Sequence, residues 1–167
     1  MLLINSKRFY YIIYHNLSKG GVSMSVFNSM QINASGLTLE RLKMDTISTN
    51  IANVNTSRTE EGGPYKRKEV LFEENLISEK SKFTGQIGKK SIGVRVTGIS
   101  SDDENFKQTY NPTHPDADED GYVMMPNVNM VDEMIALINT QRTYEANVTA
   151  LNTSKSILKK ALEISKG

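Results

Sequence analysis

A run of alternating aspartates comes nearest in this sequence to a site for chemistry. Asp116, Asp118 and Asp120 stand at every second position, and Gly121 follows them. A calcium-binding loop begins in this way, with alternating oxygen ligands and a glycine at the tight bend. The second half of that motif is missing, because Asn127 stands where the bidentate glutamate is needed. The pattern leaves a calcium site and a solvated acidic turn as interpretations, and it favours the turn.

Other residues with catalytic or ligand-binding potential are few. The chain has two histidines, His15 and His114, and no cysteine, which excludes thiolate nucleophiles, thiolate metal sites and disulfides. A G-x-S-x-G nucleophile motif is absent, and GGPYKRK lacks the G-K-[ST] ending of a phosphate-binding loop. The net charge of +1 gives no basic footprint for nucleic acid. We predict that the protein is not an enzyme and has no catalytic residue, metal ligand or cofactor.

The first 23 residues differ in character from the rest of the chain. Their apolar patch, residues 9–14, is shorter than the hydrophobic region of a secretory signal, and no A-x-A cleavage pattern follows. The codons for Lys19-Gly20-Gly21 could read as a ribosome-binding sequence just before Met24. We hypothesise that translation starts at Met24 and that residues 1–23 are a wrongly assigned start or a disordered extension. A peptide from residues 1–23 in the native protein would contradict this.

An apolar stripe predicts a long helix over residues 24–57. This stretch contains no proline and a single glycine, Gly36. Four apolar residues recur in it every seven positions, as the inward face of a helix does: Met30, Leu37, Met44 and Ile51.

Residues 58–126 have the signals of a β-rich insert with loops. SIGVRVTGI alternates apolar and other residues with strand spacing, and KEVLFEE and GYVMMP are shorter strand candidates. NPTHPDADEDG, rich in turn formers, predicts a long turn region.

Residues 127–167 predict a second long helix with a heptad repeat. Asn129 is a plausible N-cap, and Asp132 and Glu133 lie in the first turn, where the helix dipole favours acids. One seven-residue series is Met130, Leu137, Tyr144, Leu151 and Leu158; the second is Met134, Gln141, Val148, Lys155 and Leu162. Such series are the a and d positions of a coiled coil, where the polar Gln141 and Lys155 could fix register or merely lie at the edge of the seam.

These elements predict an α+β fold in which long N- and C-terminal helices pair as a coiled coil around a small β-rich middle insert. Each buried apolar side chain of the C-terminal stripe is worth about 1.5–3 kcal/mol, whereas ordering each residue costs about 1–2 kcal/mol in backbone entropy. Because isolated helices are marginal, the C-terminal helix should need partners on its stripe. The N-terminal helix and other subunits are the candidates.

Four stretches of the sequence carry a resemblance to a known family. STNIANVNT, at the end of the first helix, resembles the signature that flagellar axial proteins share. RTEEGGPYKRKEV, YNPTHPDADEDGYVMMPNVNMVDEM and QRTYEANVTALNTSKSILKKALEI resemble the proximal-rod members of that family. The resemblance extends from Met24 to Gly167 and leaves out residues 1–23.

The resemblance implies a structural subunit of the proximal rod, polymerising through its terminal helices into the hollow shaft that transmits motor torque. It implies self-association in the rod and contacts with other proximal-rod and distal-rod subunits, with the adaptor at the rod base and with the flagellar type III export apparatus. It implies a location in the basal-body rod, outside the cytoplasmic membrane, in the periplasm or cell wall. Nucleic acid and small-molecule substrates are not expected partners.

The asparagines in STNIANVNT have two possible roles. Asn50, Asn53 and Asn55 can donate and accept hydrogen bonds at once, so they could bridge to a neighbouring subunit or simply cap the helix end. The predicted assembly interface consists of Met30, Leu37, Met44, Ile51, Asn50, Asn53, Asn55, Met134, Leu137, Gln141, Tyr144, Val148, Leu151, Leu158 and Leu162. The alternatives are a calcium-binding or enzymatic domain on a coiled-coil oligomer, and a coiled-coil scaffold outside the flagellum.

Overall fold

The computed structural model describes residues 21–80 and 87–165. A long helix comes first, then two β hairpins, then a second long helix. The elements are α1 (Gly21–Ala52), β1 (Arg67–Lys80), β2 (Ile87–Asp102), β3 (Lys107–Tyr110), β4 (Tyr122–Met125) and α2 (Met130–Ile164). The α+β class is thereby confirmed. Of the predicted N-terminal extension, residues 1–20 lie outside the described residues.

Both sheets are antiparallel hairpins of two strands. In the long hairpin, β1 pairs with β2 from Arg67 opposite Asp102 to Lys80 opposite Ile87, with register shifts at Leu71/Phe72 and Glu74/Leu76. In the short hairpin, β3 pairs with β4, and residues 111–121 form the turn between them. The three predicted strands lie inside β1, β2 and β4.

The two helices pack against each other and run antiparallel. Asn50 near the end of α1 meets Glu133 at the start of α2, and Gly36 meets Asn147 further along. A Cβ on Gly36 would lie 3.0 Å from Nδ2 of Asn147, closer than ordinary packing, so glycine permits the helices to approach. This close contact explains the one glycine in an otherwise strong helical stretch.

The coiled-coil pairing expected from the heptads is not evident in this packing. The side chains that α2 buries are Glu133 and Thr140, which belong to neither heptad series. Met134 and Leu162, from the second series, are 49% and 56% exposed. Val148 of the same series is half-buried, as are Leu137, Tyr144, Leu151 and Leu158 of the first series, so the heptad positions are only partly covered.

The long hairpin also packs against α1. Gly93 of β2 has φ +120°, a backbone conformation that L side chains rarely adopt, and a Cβ there would collide with the Ser35 side chain. The Ser35 hydroxyl accepts a hydrogen bond from the Val94 N–H at 3.1 Å and donates to the Ile32 carbonyl. Glycine therefore lets the strand touch the helix at this point.

The hydrophobic core is small and lies where α1, the base of the hairpin and the start of α2 converge. Its buried apolar members are Leu39, Tyr65, Val70, Val123 and Val128. Within the described residues, neither helix is apolar over enough length to cross a membrane.

Candidate assembly site and the buried junction that positions it

Asn50 is the centre of a buried hydrogen-bonded junction. Its side chain is 1% exposed. Nδ2 donates to the Lys68 carbonyl at 2.9 Å and to Oε2 of Glu133 at 3.1 Å. Oδ1 accepts from the Tyr65 hydroxyl at 2.9 Å and from the Lys68 N–H at 3.0 Å. One amide thus uses both its donors and its acceptor to join α1, β1 and α2, in a way that no apolar side chain could.

Glu133 completes the junction from the side of α2. Its carboxylate accepts from Asn50 through Oε2 and from Nε of Arg67 through Oε1, the latter at 2.7 Å. The Glu133 side chain is 2% exposed and that of Arg67 is 36% exposed. A buried carboxylate is costly without partners, so this position requires both the cation and the amide. Among the described residues, every buried side-chain nitrogen and oxygen has a hydrogen-bond partner.

This environment raises the pKa values of two groups, the Tyr65 hydroxyl and the Arg67 guanidinium. Burial raises the pKa of the Tyr65 hydroxyl above its ordinary value near 10, and the negative charge of Glu133 adds to the rise. The hydrogen bond to Glu133 raises the pKa of Arg67, against the opposing effect of burial. The junction is therefore built for a neutral Tyr65 and a charged Arg67.

Asn127 forms a second clamp beside the first. Its Oδ1 accepts from the Arg67 N–H at 2.8 Å, while its Nδ2 donates to the carbonyls of Asp102 and Glu104 at 3.0 and 2.8 Å. It holds the open ends of β1 and β2 to the segment that leads into α2. Two residues later, Asn129 caps α2 by accepting from the Val131 N–H at 3.1 Å, which confirms the predicted cap.

A half-open cavity of about 230 Å³ lies against the junction. Lys43, Phe72 and Thr140 are among its lining residues, and Asn50 and Glu133 border it. The Lys43 ammonium lies 4.6 Å from the centre of the Phe72 ring and 3.3 Å from Oε1 of Glu40. The space suits a few water molecules at roughly 30 Å³ each. The buried carboxylate on its wall, that of Glu133, is already paired with Arg67 and Asn50.

The other residues of the signature have different roles from Asn50. Asn53 caps the helix end locally, donating to the Thr49 carbonyl at 2.9 Å and accepting from the Thr56 hydroxyl at 3.2 Å. Asn55 is exposed. Gly62 and Gly63, with φ of +88° and +77°, form the turn after the helix. That turn brings Tyr65 back beneath Asn50, so the signature ends the helix and returns the chain to it.

The acidic loop holds itself together through its own carboxylates. Oδ1 of Asp118 accepts from the N–H groups of Asp120 and Tyr122 at 3.1 and 2.7 Å. Asp116 accepts from the Ser57 hydroxyl at 2.8 Å and lies 3.7 Å from the Arg58 guanidinium. No group of three or more acidic or histidine side chains in the described part of the chain is arranged to hold a metal ion. The geometry is that of a turn tied to the end of α1.

The predicted interface residues fall into three groups of exposure. Asn50 is buried. Half-buried side chains are Met30, Leu37, Met44, Ile51, Asn53, Leu137, Tyr144, Val148, Leu151 and Leu158. Exposed side chains are Asn55, Met134, Gln141 and Leu162. Lys155 is exposed too, and Gln141 donates along its own helix to Glu145 at 3.2 Å.

Sequence reasoning missed the roles of Glu133 in the junction and of Asn127 beside it. It placed Glu133 in the first turn for the helix dipole and Asn127 at a failed calcium position. One available signal was the acid in an otherwise apolar heptad region, because a carboxylate among Met130, Met134 and Leu137 needs a partner if buried. The partner, 66 residues away, could not be read from local spacing.

The described residues form two antiparallel helices that a buried polar junction fixes to a hairpin, with apolar side chains left on the outside. Two family profiles match the same parts of the chain. The profile "Flagella basal body rod protein" matches residues 30–58, and "Flagellar basal body rod FlgEFG protein C-terminal" matches residues 119–164. The first match contains Asn50 and the second contains Glu133.

Relatives extend this match over most of the chain. The flagellar basal-body rod protein FlgC of Borreliella burgdorferi is 44% identical over 152 residues, covering 86% of this chain and 100% of the relative. FlgC of Bacillus subtilis is 43% identical over 150 residues, with the same coverage. FlgC of Escherichia coli O157:H7 is 34% identical over 141 residues, covering 84% of this chain and 98% of the relative. The chain belongs to the FlgC family of flagellar basal-body rod proteins.

Proposed function

We propose that this protein is a structural subunit of the proximal rod of the flagellar basal body, which polymerises through its terminal helices into the hollow shaft that transmits motor torque. Membership of the FlgC family, over nearly the full length of its relatives, is the observation that carries the proposal. The fold agrees with a structural role, because its buried polar residues Asn50 and Glu133 hold separate elements of the chain together.

The surface of the helices supports assembly as the function. A solvent-exposed large apolar side chain is unremarkable singly, but contiguous apolar patches mark interaction sites. α2 exposes such side chains near both of its ends, among them Met134, Leu162 and Ile164 at 49%, 56% and 81%. The proposed assembly surface comprises the half-buried and exposed members of the predicted set. Asn50 would act on assembly indirectly, since its amide is used within the chain.

The partners follow from the same family membership. Self-association and contacts with other rod subunits are the coarser inference. More specifically, we assign contacts with distal-rod subunits, the rod-base adaptor and the type III export apparatus, and a location outside the cytoplasmic membrane in the periplasm or cell wall. The resemblance of the helices and the middle insert to proximal-rod proteins supports these finer assignments.

A deletion of the gene tests the function. We expect non-motile cells whose basal bodies, by electron microscopy, lack rod and hook. A copy beginning at Met24 should restore both motility and the rod. Intact flagella in the deletion strain would overturn the proposed function. A Met24 copy carrying Glu119→Ala, an exposed position outside the predicted interface, is the matched control that should restore motility fully.

A further inference from the structure

His114, the one histidine among the described residues, accepts a hydrogen bond from the backbone through its ring. The Asp116 N–H donates to Nδ1 of His114 at 3.1 Å. An imidazole nitrogen accepts only while it carries no proton, so this geometry requires a neutral ring with its proton on Nε2. The His114 side chain is 30% exposed, and solvent can therefore exchange protons with it. Because histidine changes its charge between about pH 5 and 8, the bond exists over only part of the physiological pH range.

The carboxylate of Asp116 ties the acidic loop to the segment that follows α1. Its Oδ2 accepts from the Ser57 hydroxyl at 2.8 Å, and its Oδ1 lies 3.7 Å from Nη1 of Arg58. The same Oδ2 lies 3.9 Å from Nδ1 of His114. One carboxylate is thus within reach of two groups that carry positive charge, Arg58 at all times and His114 only when it is protonated.

Arg58 is the less firmly held of these two groups. Its side chain is 77% exposed. The backbone of His114 is fixed in the loop, since its N–H donates to the Asn111 carbonyl and its carbonyl accepts from the Ala117 N–H. Among the described residues, no third cation lies within ion-pair distance of Asp116. The other charged groups of this loop are acids: Asp118, Glu119 and Asp120. A charge on His114 therefore acts on Arg58 through the carboxylate that both approach.

We propose that His114 is a proton-operated latch on the tie between the acidic loop and the end of α1. Neutral His114 holds the Asp116 N–H and leaves the Asp116 carboxylate to Ser57 and Arg58. Protonated His114 loses that bond, turns its Nδ1–H toward Oδ2 of Asp116 and displaces the Arg58 guanidinium. The step takes up one proton from solvent and breaks no covalent bond. It is independent of the proposed function, because every contact lies within one chain.

The turn itself is held by bonds in which the His114 ring has no part. The Asn111 N–H donates to the Gly121 carbonyl, and the Asp118 N–H donates to the Tyr122 carbonyl, both at 2.9 Å. Protonation of His114 therefore loosens the attachment of the loop to α1 without opening the turn.

Nuclear magnetic resonance of the isotope-labelled full chain between about pH 8 and 5 tests the latch. The variant His114→Asn distinguishes the ring signals of His114 from those of His15. We expect the Asp116 amide signal to move with the same midpoint as the His114 ring, because the amide loses its acceptor. In His114→Asn the Asp116 amide signal should stay in place, since an asparagine carbonyl accepts the same bond and does not titrate.

The variant Arg58→Gln tests the competition for Asp116. Removing a neighbouring positive charge favours protonation of a histidine. We expect the titration midpoint of the His114 ring to rise by a few tenths of a pH unit, the effect of one exposed charge at this distance. The matched control, Arg142→Gln, removes an exposed arginine of α2 and should leave the midpoint unchanged.

Three results would each overturn the latch. An Asp116 amide signal that stays in place while the His114 ring titrates would show that the ring does not hold this amide. A signal that moves equally in His114→Asn would assign the change to another group. Equal midpoints in Arg58→Gln and Arg142→Gln would show that His114 and Arg58 do not compete for Asp116.

Discussion

Asn50 and Glu133, 83 residues apart in sequence, are joined by a 3.1 Å hydrogen bond in the most buried part of the protein. The bond links the last turns of α1 to the first turn of α2. Because both helix ends are fixed at this point, it sets the antiparallel order of the helices and the face that each presents outward. The contact is therefore the structural origin of the outer surface through which we propose assembly.

Removing the Asn50 amide should destabilise the fold. Asn50→Ala leaves the Lys68 backbone groups and one Glu133 oxygen without their partner, and an unsatisfied buried group costs about 1–3 kcal/mol. We expect the free energy of unfolding, measured with urea, to fall by about this amount or more. Asn55→Ala, at an exposed position, should change it by less than about 0.5 kcal/mol. Equal effects of the two changes would contradict the junction.

The Arg67–Glu133 pair should show energetic coupling. Glu133→Gln keeps the shape but removes the charge, and a hydrogen bond to a charged group is worth about 1.5–3 kcal/mol; the partial exposure of Arg67 places the loss toward the lower end. A double-mutant cycle with Arg67→Met should give a coupling of about 0.5–3 kcal/mol, the usual range for contacting residues. A coupling of zero would mean that the pair does not act as one unit.

Alkaline pH should weaken the junction through Tyr65. Burial and the Glu133 charge raise the folded-state pKa of this hydroxyl, so the folded state holds the proton more tightly than the unfolded state. The resulting stability is complete below about pH 10, the unfolded value, and is lost as the pH rises through the folded-state pKa. Urea unfolding of the natural chain and of Tyr65→Phe between pH 8 and 11 checks this.

Tyr65→Phe should be less stable by about 1 kcal/mol near neutral pH, the usual worth of one hydrogen bond. Above pH 10 the difference should shrink, because only the natural chain has this phenol to ionise. A difference that stays constant across the range would show that Tyr65 is not responsible for the pH dependence.

The acidic loop should tolerate neutral side chains. Asp118 uses one oxygen to accept two backbone N–H groups, and asparagine retains that oxygen. We expect the triple change Asp116→Asn, Asp118→Asn and Asp120→Asn to preserve motility. Calorimetry of the natural chain should detect no calcium binding. Heat of binding in the natural chain, lost in the triple variant, would revive the calcium-site alternative.

Hydrogen exchange on dilute chain should reveal a gradient along α2. Glu133 and Thr140 are buried near its start, whereas Ile157, Leu162 and Ile164 are exposed near its end. Apolar stripes without partners do not hold isolated helices. We expect slow exchange around the junction and fast exchange beyond Leu151. Strong protection throughout residues 134–162 would show that α2 is stable without other subunits.

Local pattern in the sequence was sufficient for the elements. The absence of proline and the seven-residue spacing predicted both long helices, alternation predicted β2, and the asparagine before Met130 predicted the cap. Each of these features depends on residues within about two helical turns of one another. Side-chain periodicity and backbone preference therefore predict them from the local sequence. The same signals predicted the acidic turn.

Tertiary structure alone decided what those elements do to one another. In the sequence, Glu133 looks like an ordinary first-turn acid, and only the fold brings Arg67 and Asn50 beside it. Asn50 looks like a helix cap or a subunit contact. Only the turn at Gly62 and Gly63 brings Tyr65 and Lys68 within hydrogen-bonding distance of its side chain. A heptad specifies an apolar stripe, but it does not specify which helix covers it. In the folded chain Leu137 and Val148 are half-buried, whereas Met134 and Leu162 stay exposed. The carboxylate of Glu133 is buried with Arg67 and Asn50 as its partners, because a buried charge is costly without them.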